Sequence, residues 1–330
     1  MFKFAAPLLV SVSLASGAYA SCTGPGIESI YSEAEIANFK AQSADVPYSD
    51  GIYWHAEKDG TDIYVAGTMH IHSIGLAEVA ARFEPELTQA DLVMFEMTPE
   101  DGAELEQALM SEANLIMLPD NQTLSQALPP EKWHAVSSAL SAIGVNPADV
   151  APLQPWIVNM NFLLPPCAMA ALQAGQPGME ELLQDMIPVD TPMASLEDWR
   201  SSLAFFYGPD IEQQADELLL SLVTLPYLEP VTISTIEAYF DGDPQRMIPA
   251  MDGLADLIAP ELKASYETFM QRLEDELLEK RNSAWMAEIE NAATDYDSIF
   301  VAVGAMHLGG ESGVVTQLAA NGWTVSAMAD

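Results

Sequence analysis

Two histidines stand in the same local pattern, one near each end of the chain. In the runs 63–70 and 299–307, an apolar stretch is followed by Gly-x-Met-His, which ends at His70 and at His307. A β-branched and aromatic stretch of this kind predicts a buried strand. Histidines just past the carboxyl ends of core strands lie where open α/β sheets build their sites. We therefore expect the two imidazoles to meet in one hydrolytic centre.

Glu96 is expected to complete this centre. It ends a short apolar run over residues 91–97, so in a parallel sheet its carboxylate would emerge at the same edge as His70. A carboxylate beside two imidazoles suits a metal site with an open position for water. It equally suits a general base that acts on water without metal. Gly67 and Gly304 support the site, because each permits a turn that a Cβ atom would obstruct.

Arg281 interrupts the apolar face of a helix predicted over residues 266–292. The rest of that face is Phe269, Leu273, Leu277 and Trp285. Unpaired burial of a guanidinium group is costly. Arg281 is therefore expected to pair with Glu96 or with Glu197, which ends a possible lone strand, or to stabilise an oxyanion. A purely structural salt bridge is an equal alternative.

Several familiar kinds of site are missing from the sequence. It has no Gly-x-Ser-x-Gly, no His-Glu-x-x-His and no Gly-x-x-x-x-Gly-Lys motif, which argues against a serine triad, a common zinc protease helix and a nucleotide site. The formal net charge of −38 disfavours binding to nucleic acid or to anionic lipid. The expected partner is a peptide or small-molecule substrate.

The chain begins like an exported protein. Residues 1–20 combine Lys3, a short apolar stretch and an Ala-x-Ala cleavage pattern, which is typical of a signal peptide. We expect a periplasmic protein, with secretion or a lipid anchor on Cys22 as alternatives, and no later segment long and apolar enough to cross a membrane. Cys22 and Cys167, an even pair in an exported chain, predict a disulfide.

The mature chain divides into a short arm and one domain. Residues 21–50 form the arm and residues 51–330 the domain. Within it, residues 51–100 and 266–330 are expected to be duplicated strand–Gly-x-x-His–helix–strand halves of a central mixed sheet, and residues 101–265 a mainly helical insertion that covers the site edge. Helices are predicted at 32–42, 77–87, 124–128, 132–143, 156–164, 179–186, 211–222, 266–292 and 313–320. Strands are predicted at 52–55, 63–66, 91–97, 193–197, 299–303 and 323–327.

Taken together, these motifs resemble those of the TraB/GumN family, which is related to the TIKI proteases and more distantly to erythromycin esterases and ChaN-like proteins. The similarity covers nearly all of residues 22–330. The pieces that carry it are residues 64–70, Glu96, Ser195-Leu196-Glu197, Gly242-Asp243, Arg281-Asn282, Trp285 and residues 303–308.

The resemblance implies an α/β fold of the erythromycin esterase/ChaN-like kind with an interposed helical region and a metal-dependent hydrolytic centre. Carried over by motif, the metal-binding and catalytic roles fall on His70, His307 and Glu96, a catalytic role on Arg281, and supporting roles on Glu197 and Asn282. The sequence departs from the family at Gly178-Met179-Glu180, where Asp is expected in the last place. This departure weakens the claim of Glu180 to a role.

The sequence therefore predicts an exported metal-dependent hydrolase, a TIKI-like metalloprotease with peptide bonds as the expected substrate. Zinc, manganese and cobalt all accept nitrogen and oxygen ligands, so the ion is not specified. Two alternatives stay open. One is an esterase-like hydrolase that uses histidine as base and no metal. The other is a non-catalytic protein that sequesters a peptide or haem.

Overall fold

One mixed sheet of six strands forms the centre of the fold. The structure is a computed structural model that describes residues 21–328, so the expected signal peptide lies outside the described residues. The strands are β1 (Tyr53–Lys58), β2 (Thr61–Thr68), β3 (Leu92–Phe95), β4 (Met193–Ser195), β5 (Ser298–Gly304) and β6 (Thr324–Ala327). Their order is β4-β3-β5-β2-β1-β6. The first four strands in this order are parallel neighbours, whereas β1 runs antiparallel to β2 and β6.

Helices surround the sheet and, apart from β4, make up most of the long segment between β3 and β5. They are α1 (Glu33–Ser43), α2 (Leu76–Leu87), α3 (Pro99–Ser111), α4 (Ala113–Ile116), α5 (Leu124–Ala127), α6 (Pro130–Ala142), α7 (Pro147–Val150), α8 (Pro155–Asn159), α9 (Pro166–Gln173), α10 (Met179–Met186), α11 (Trp199–Tyr207), α12 (Ile211–Phe240), α13 (Met247–Asp252), α14 (Lys263–Leu273), α15 (Lys280–Ala292) and α16 (Val314–Ala320). A π-helical segment, Glu274–Glu279, joins α14 to α15.

Both faces of the sheet are covered, because its central strands are apolar on both sides. In β5, Phe300 and Ala302 pack on one face with α2, α10 and the end of α12. Ile299, Val301 and Val303 pack on the other face with α15 and α16. A strand alternates its side chains between faces, and a parallel strand that is buried on both sides is therefore apolar throughout. The predicted α/β class is confirmed.

The two histidine segments share their order of elements but occupy different places in the sheet. The first runs from β2 through α2 to β3, and β3 lies two positions away, beyond β5. The second runs from β5 through α16 to β6. In the sheet, β6 lies at the edge, beyond β2 and β1. The repeated sequence pattern therefore gives the same order of elements twice, whereas duplicated halves of the sheet stay a prediction.

The N-terminal arm is fastened to the helical region. Cys22 and Cys167 form the predicted disulfide, with Cα atoms 5.1 Å apart. Helix α1 begins one residue after its predicted start, because Ser32 is its N-cap and its side chain accepts the backbone N–H of Glu35, whose side chain returns the contact. This capping box satisfies N–H groups that a helix start leaves free.

The largest difference from the predicted elements is α12, which was expected to end at residue 222. It runs on to Phe240 through Pro226 and Pro230. Each interior proline costs a helix about 3 kcal/mol, and burial of residues such as Ile233 and Ile236 beyond the prolines offsets that cost. By length and composition α12 could also cross a membrane, contrary to the expectation that no later segment could. In this fold it packs against the first sheet face and other helices.

Candidate functional site

Four candidate residues follow the carboxyl ends of four neighbouring parallel strands. In sheet order, Glu197 lies after β4, Glu96 after β3, His307 after β5 and His70 after β2. Thr68 pairs with Gly304, and Phe95 pairs with both Ala302 and Ser195. The register therefore brings side chains that are far apart in sequence to one edge of the sheet. Their chemical roles stay predictions.

Gly304 lies at the middle of this group. A Cβ atom built on it would lie 3.3 Å from Glu96 Oε1, 3.5 Å from His307 Cδ2 and 3.7 Å from His70 Nε2. The three predicted site residues therefore surround one backbone position. Gly67 has a different use, since its Cβ would meet Leu308 Cδ1 at 2.7 Å. Because Gly67 has no side chain, the turn that contains His307 packs closely on β2.

Glu96 is an ionised, largely buried carboxylate. Its Oε1 accepts the Gly304 backbone N–H at 2.7 Å, and its Oε2 accepts Arg281 Nη2 at 2.7 Å. Burial raises the pKa of a carboxylic acid, but the charge of Arg281 and the bond from Gly304 outweigh it and lower the pKa of Glu96 to about 2. A carboxylate whose two oxygens accept these bonds is suited to orient a neighbouring group and to balance charge.

Arg281 joins the acids of β3 and β4. Its Nε and Nη2 both donate to Glu197, at 3.0 and 2.5 Å, and Ser202 Oγ donates to the same carboxylate at 2.7 Å. Both predicted pairings of Arg281 are thus present together. Among residues 21–328, Arg281 Nη1 makes only long contacts, 3.5 Å to the Leu277 carbonyl and 3.4 Å to His307 Nε2.

His307 is buried and fixed in one tautomer. Its Nδ1 lies 2.6 Å from Asn282 Oδ1, while Asn282 Nδ2 donates to the Ser312 carbonyl at 3.1 Å. An amide oxygen can only accept, so Nδ1 carries the proton and Nε2 presents a lone pair. Burial, reinforced by the nearby charge of Arg281, lowers the pKa of His307 to about 3. The ring also lies against Trp285, with centroids 4.5 Å apart.

His70 lies beside Glu180, an acid whose claim to a role was weak from the sequence alone. Its Nδ1 is 2.7 Å from Glu180 Oε1, an ion-pair distance, and Thr68 Oγ1 donates to the same oxygen at 2.5 Å. Glu180, one methylene longer than the Asp expected from the resemblance, thus reaches the ring, and its role stays a prediction. The negative charge of Glu180 raises the pKa of His70 to about 9, and the His70 side chain is 58% exposed. His70 is thus cationic at neutral pH, and His307 is neutral.

The raised pKa of His70 predicts a specific dependence of stability on pH. A proton that binds the folded state more tightly stabilises it. This contribution should be complete below pH 6.5, the ordinary value, and should disappear as pH rises through about 9. Urea unfolding of the wild type and of His70→Gln between pH 6 and 10 measures it. The difference in free energy of unfolding should shrink over this interval, and a constant difference would contradict the His70–Glu180 pairing.

As arranged, the group does not form a metal site. Within residues 21–328, no three histidine, cysteine or acidic side chains converge closely enough to hold an ion. The reason is visible at Arg281, which bonds to Glu96 and approaches the Nε2 lone pair of His307. Two of the three expected ligands therefore face a guanidinium group in this arrangement.

Comparison with known proteins identifies the chain at the level of a family. The model of the TraB/PrgY/gumN family matches residues 52–327, which include every strand of the sheet and all the site residues. No curated protein and no solved structure matches the chain significantly.

Proposed function

Since the chain belongs to the TraB/PrgY/gumN family, we propose that it is a hydrolase of acyl bonds, with peptides as the first substrate class. The observation that carries the proposal is the arrangement around Gly304, where a neutral histidine, a carboxylate and a cationic histidine surround one position. Two titratable groups of one kind whose pKa values are driven apart by their surroundings are suited to separate acid and base roles. We also propose that the protein acts after export, which suits its disulfide.

The neutral member, His307, is assigned as the base. Its Nε2 lies 3.9 Å from Glu96 Oε1, a separation that one water can bridge by donating a hydrogen to each acceptor. A water held in this way has its remaining lone pairs free to attack a carbonyl carbon, and Nε2 accepts its proton during the attack. Glu96 orients this water, because its oxygens already accept the Gly304 N–H and Arg281 and its charge is balanced by the guanidinium group.

Arg281 and His70, the two cations of the site, are assigned to the oxyanion and to the leaving group. Arg281 Nη1, whose contacts are long, can turn toward the oxyanion and strengthen its hydrogen bond there as negative charge forms. His70 Nε2 lies on the other side of Gly304 and carries a proton at neutral pH. It donates that proton to the leaving amine or alcohol as the acyl bond breaks.

Metal-dependent hydrolysis, the reaction expected from the resemblance, is a second candidate. One observation favours it: Glu180 and Asn282 hold both histidines by Nδ1, which is the usual support for an imidazole that binds metal through Nε2. A divalent ion would acidify a bound water. The ligands would be His70, His307 and Glu96, and Arg281 would have to withdraw from the last two, so no step is derived through an ion.

The test is hydrolysis of mixed peptide and ester libraries by the purified chain without its first 20 residues. Activity that survives exhaustive EDTA treatment and is lost in His307→Gln supports the metal-free reaction. Activity that disappears with EDTA and returns with zinc, manganese or cobalt supports the second candidate. If neither condition gives turnover while peptide or haem binds stoichiometrically, the hydrolase proposal is wrong and a binding protein is favoured.

A further inference from the structure

A segment of the helical region, residues 177–180, is joined to the first histidine turn by polar contacts. We call this segment the His70 arm. Its Met179 backbone N–H donates to the Met69 carbonyl at 3.1 Å, and its Pro177 carbonyl lies 3.0 Å from His72 Nδ1. Glu180 adds its two contacts with Thr68 and His70. The arm therefore holds the turn on both sides of His70.

Burial of the Glu180 carboxylate costs free energy, and packing alone does not explain why an acid occupies this position. Its Oε1 accepts the Thr68 hydroxyl and pairs with His70, whereas its Oε2 is buried and accepts no hydrogen bond from any residue between 21 and 328. A buried carboxylate is unfavourable unless it is fully paired. An apolar side chain of similar length would fill the same space without this cost. The presence of an acid in this position points to a role at His70.

The end of the His70 arm that carries Glu180 is fixed by core packing. Glu180 is the second residue of α10, which follows Gly178. Its neighbours on this helix include Met179 and Leu183, whose side chains belong to the core. Both of these side chains are fully buried against the first sheet face. The backbone that carries Glu180 is therefore anchored by the core.

We propose that Glu180 is a positioning residue that keeps His70 Nε2 directed at the Gly304 position, so that the helical insertion supplies part of the active site. The inference rests on the proposed function for its effect on catalysis. His307 is held in the corresponding way by Asn282, which comes from α15. Each histidine thus has its own Nδ1 acceptor, one charged and from the insertion, the other neutral and from the core.

The experiment compares Glu180→Met with the matched variant Glu181→Met. Methionine keeps the length of the side chain but accepts no hydrogen bond from His70. Glu181 is the next residue of the same helix, and its carboxylate accepts the Gly178 N–H at 3.1 Å. For Glu180→Met we expect kcat to fall by about 100-fold, the usual effect of a displaced catalytic group, with KM changed little. Glu181→Met should keep the wild-type kcat.

Two further readouts separate positioning from a general structural role. In a His70→Gln background, Glu180→Met should lower kcat no further, because residues that act through one group are not additive. By NMR, the nuclear Overhauser contact between the His70 ring and Gly304 Hα should be present in the wild type and lost in Glu180→Met. An equal loss of kcat in both backgrounds, or a contact that persists, would overturn the inference.

The NMR comparison needs no turnover. If the wild type hydrolyses nothing, the proposed function fails, yet the His70–Gly304 contact still tests whether Glu180 holds the ring. If hydrolysis is found and the contact is unaffected by Glu180→Met, the positioning role fails alone.

Discussion

Replacing Arg281 with methionine is expected to lower the free energy of unfolding by about 3–5 kcal/mol, as is typical when one partner of a buried ion pair is removed, and to abolish hydrolysis. The guanidinium group bonds to Glu96 and to Glu197 at once, and their side chains are 18% and 8% exposed. Without it, two buried carboxylates face each other with no cation between them. Urea unfolding and steady-state kinetics measure the two effects.

A matched control is available in the same helical segment. Arg272 is about as buried as Arg281, and it donates to Glu217, to Glu276 and to the Phe205 carbonyl. Arg272→Met should therefore lower stability to a similar degree but leave kcat close to that of the wild type. Equal losses of kcat in the two variants would mean that Arg281 acts only through stability.

The substitution Arg281→Lys separates charge from geometry. It would keep a positive charge near Glu96, but an ammonium group cannot form the planar fork that binds two carboxylates. We expect Arg281→Lys to recover part of the stability and little of the activity. Full recovery of kcat would show that only charge is needed, and would remove the oxyanion role assigned to Nη1.

The location of the site was predictable from the sequence because it depends on strand ends. The apolar runs before His70, Glu96 and His307 fix where β2, β3 and β5 stop. Parallel strands place their carboxyl ends at one edge, so the sequence already implied that these residues lie near one another. The pairing of Arg281 followed from a second rule, that a guanidinium on an apolar helix face needs a partner.

Glu180 could not be placed in this way. It is 112 residues from Thr68, and it reaches the site from a helix whose docking depends on the whole insertion. Local patterns carry no information about such a contact. The length of α12 was missed for a related reason: local propensity ends a helix at Pro226, while burial of its second half against distant elements continues it.

Replacing either site histidine with glutamine is expected to lower kcat about 10²–10⁴-fold, the usual contribution of a general acid or base. His55→Gln is the control, since His55 pairs with Asp62 on the β1–β2 hairpin at 2.7 Å. It should retain wild-type kinetics. Glutamine keeps a polar side chain of similar reach in each variant, so a loss confined to positions 70 and 307 reports on proton transfer.

The pH dependence of kcat distinguishes the two roles. If cationic His70 is the acid, wild-type activity should fall as pH rises through about 9, where its proton is lost. His70→Gln should have a low activity that does not fall there. Neutral His307 should keep its function down to about pH 3, so stability, not this residue, sets the acid limit. A wild-type activity that instead rises through pH 9 would mean that His70 acts as the base, and the assignment of the two histidines would have to be exchanged.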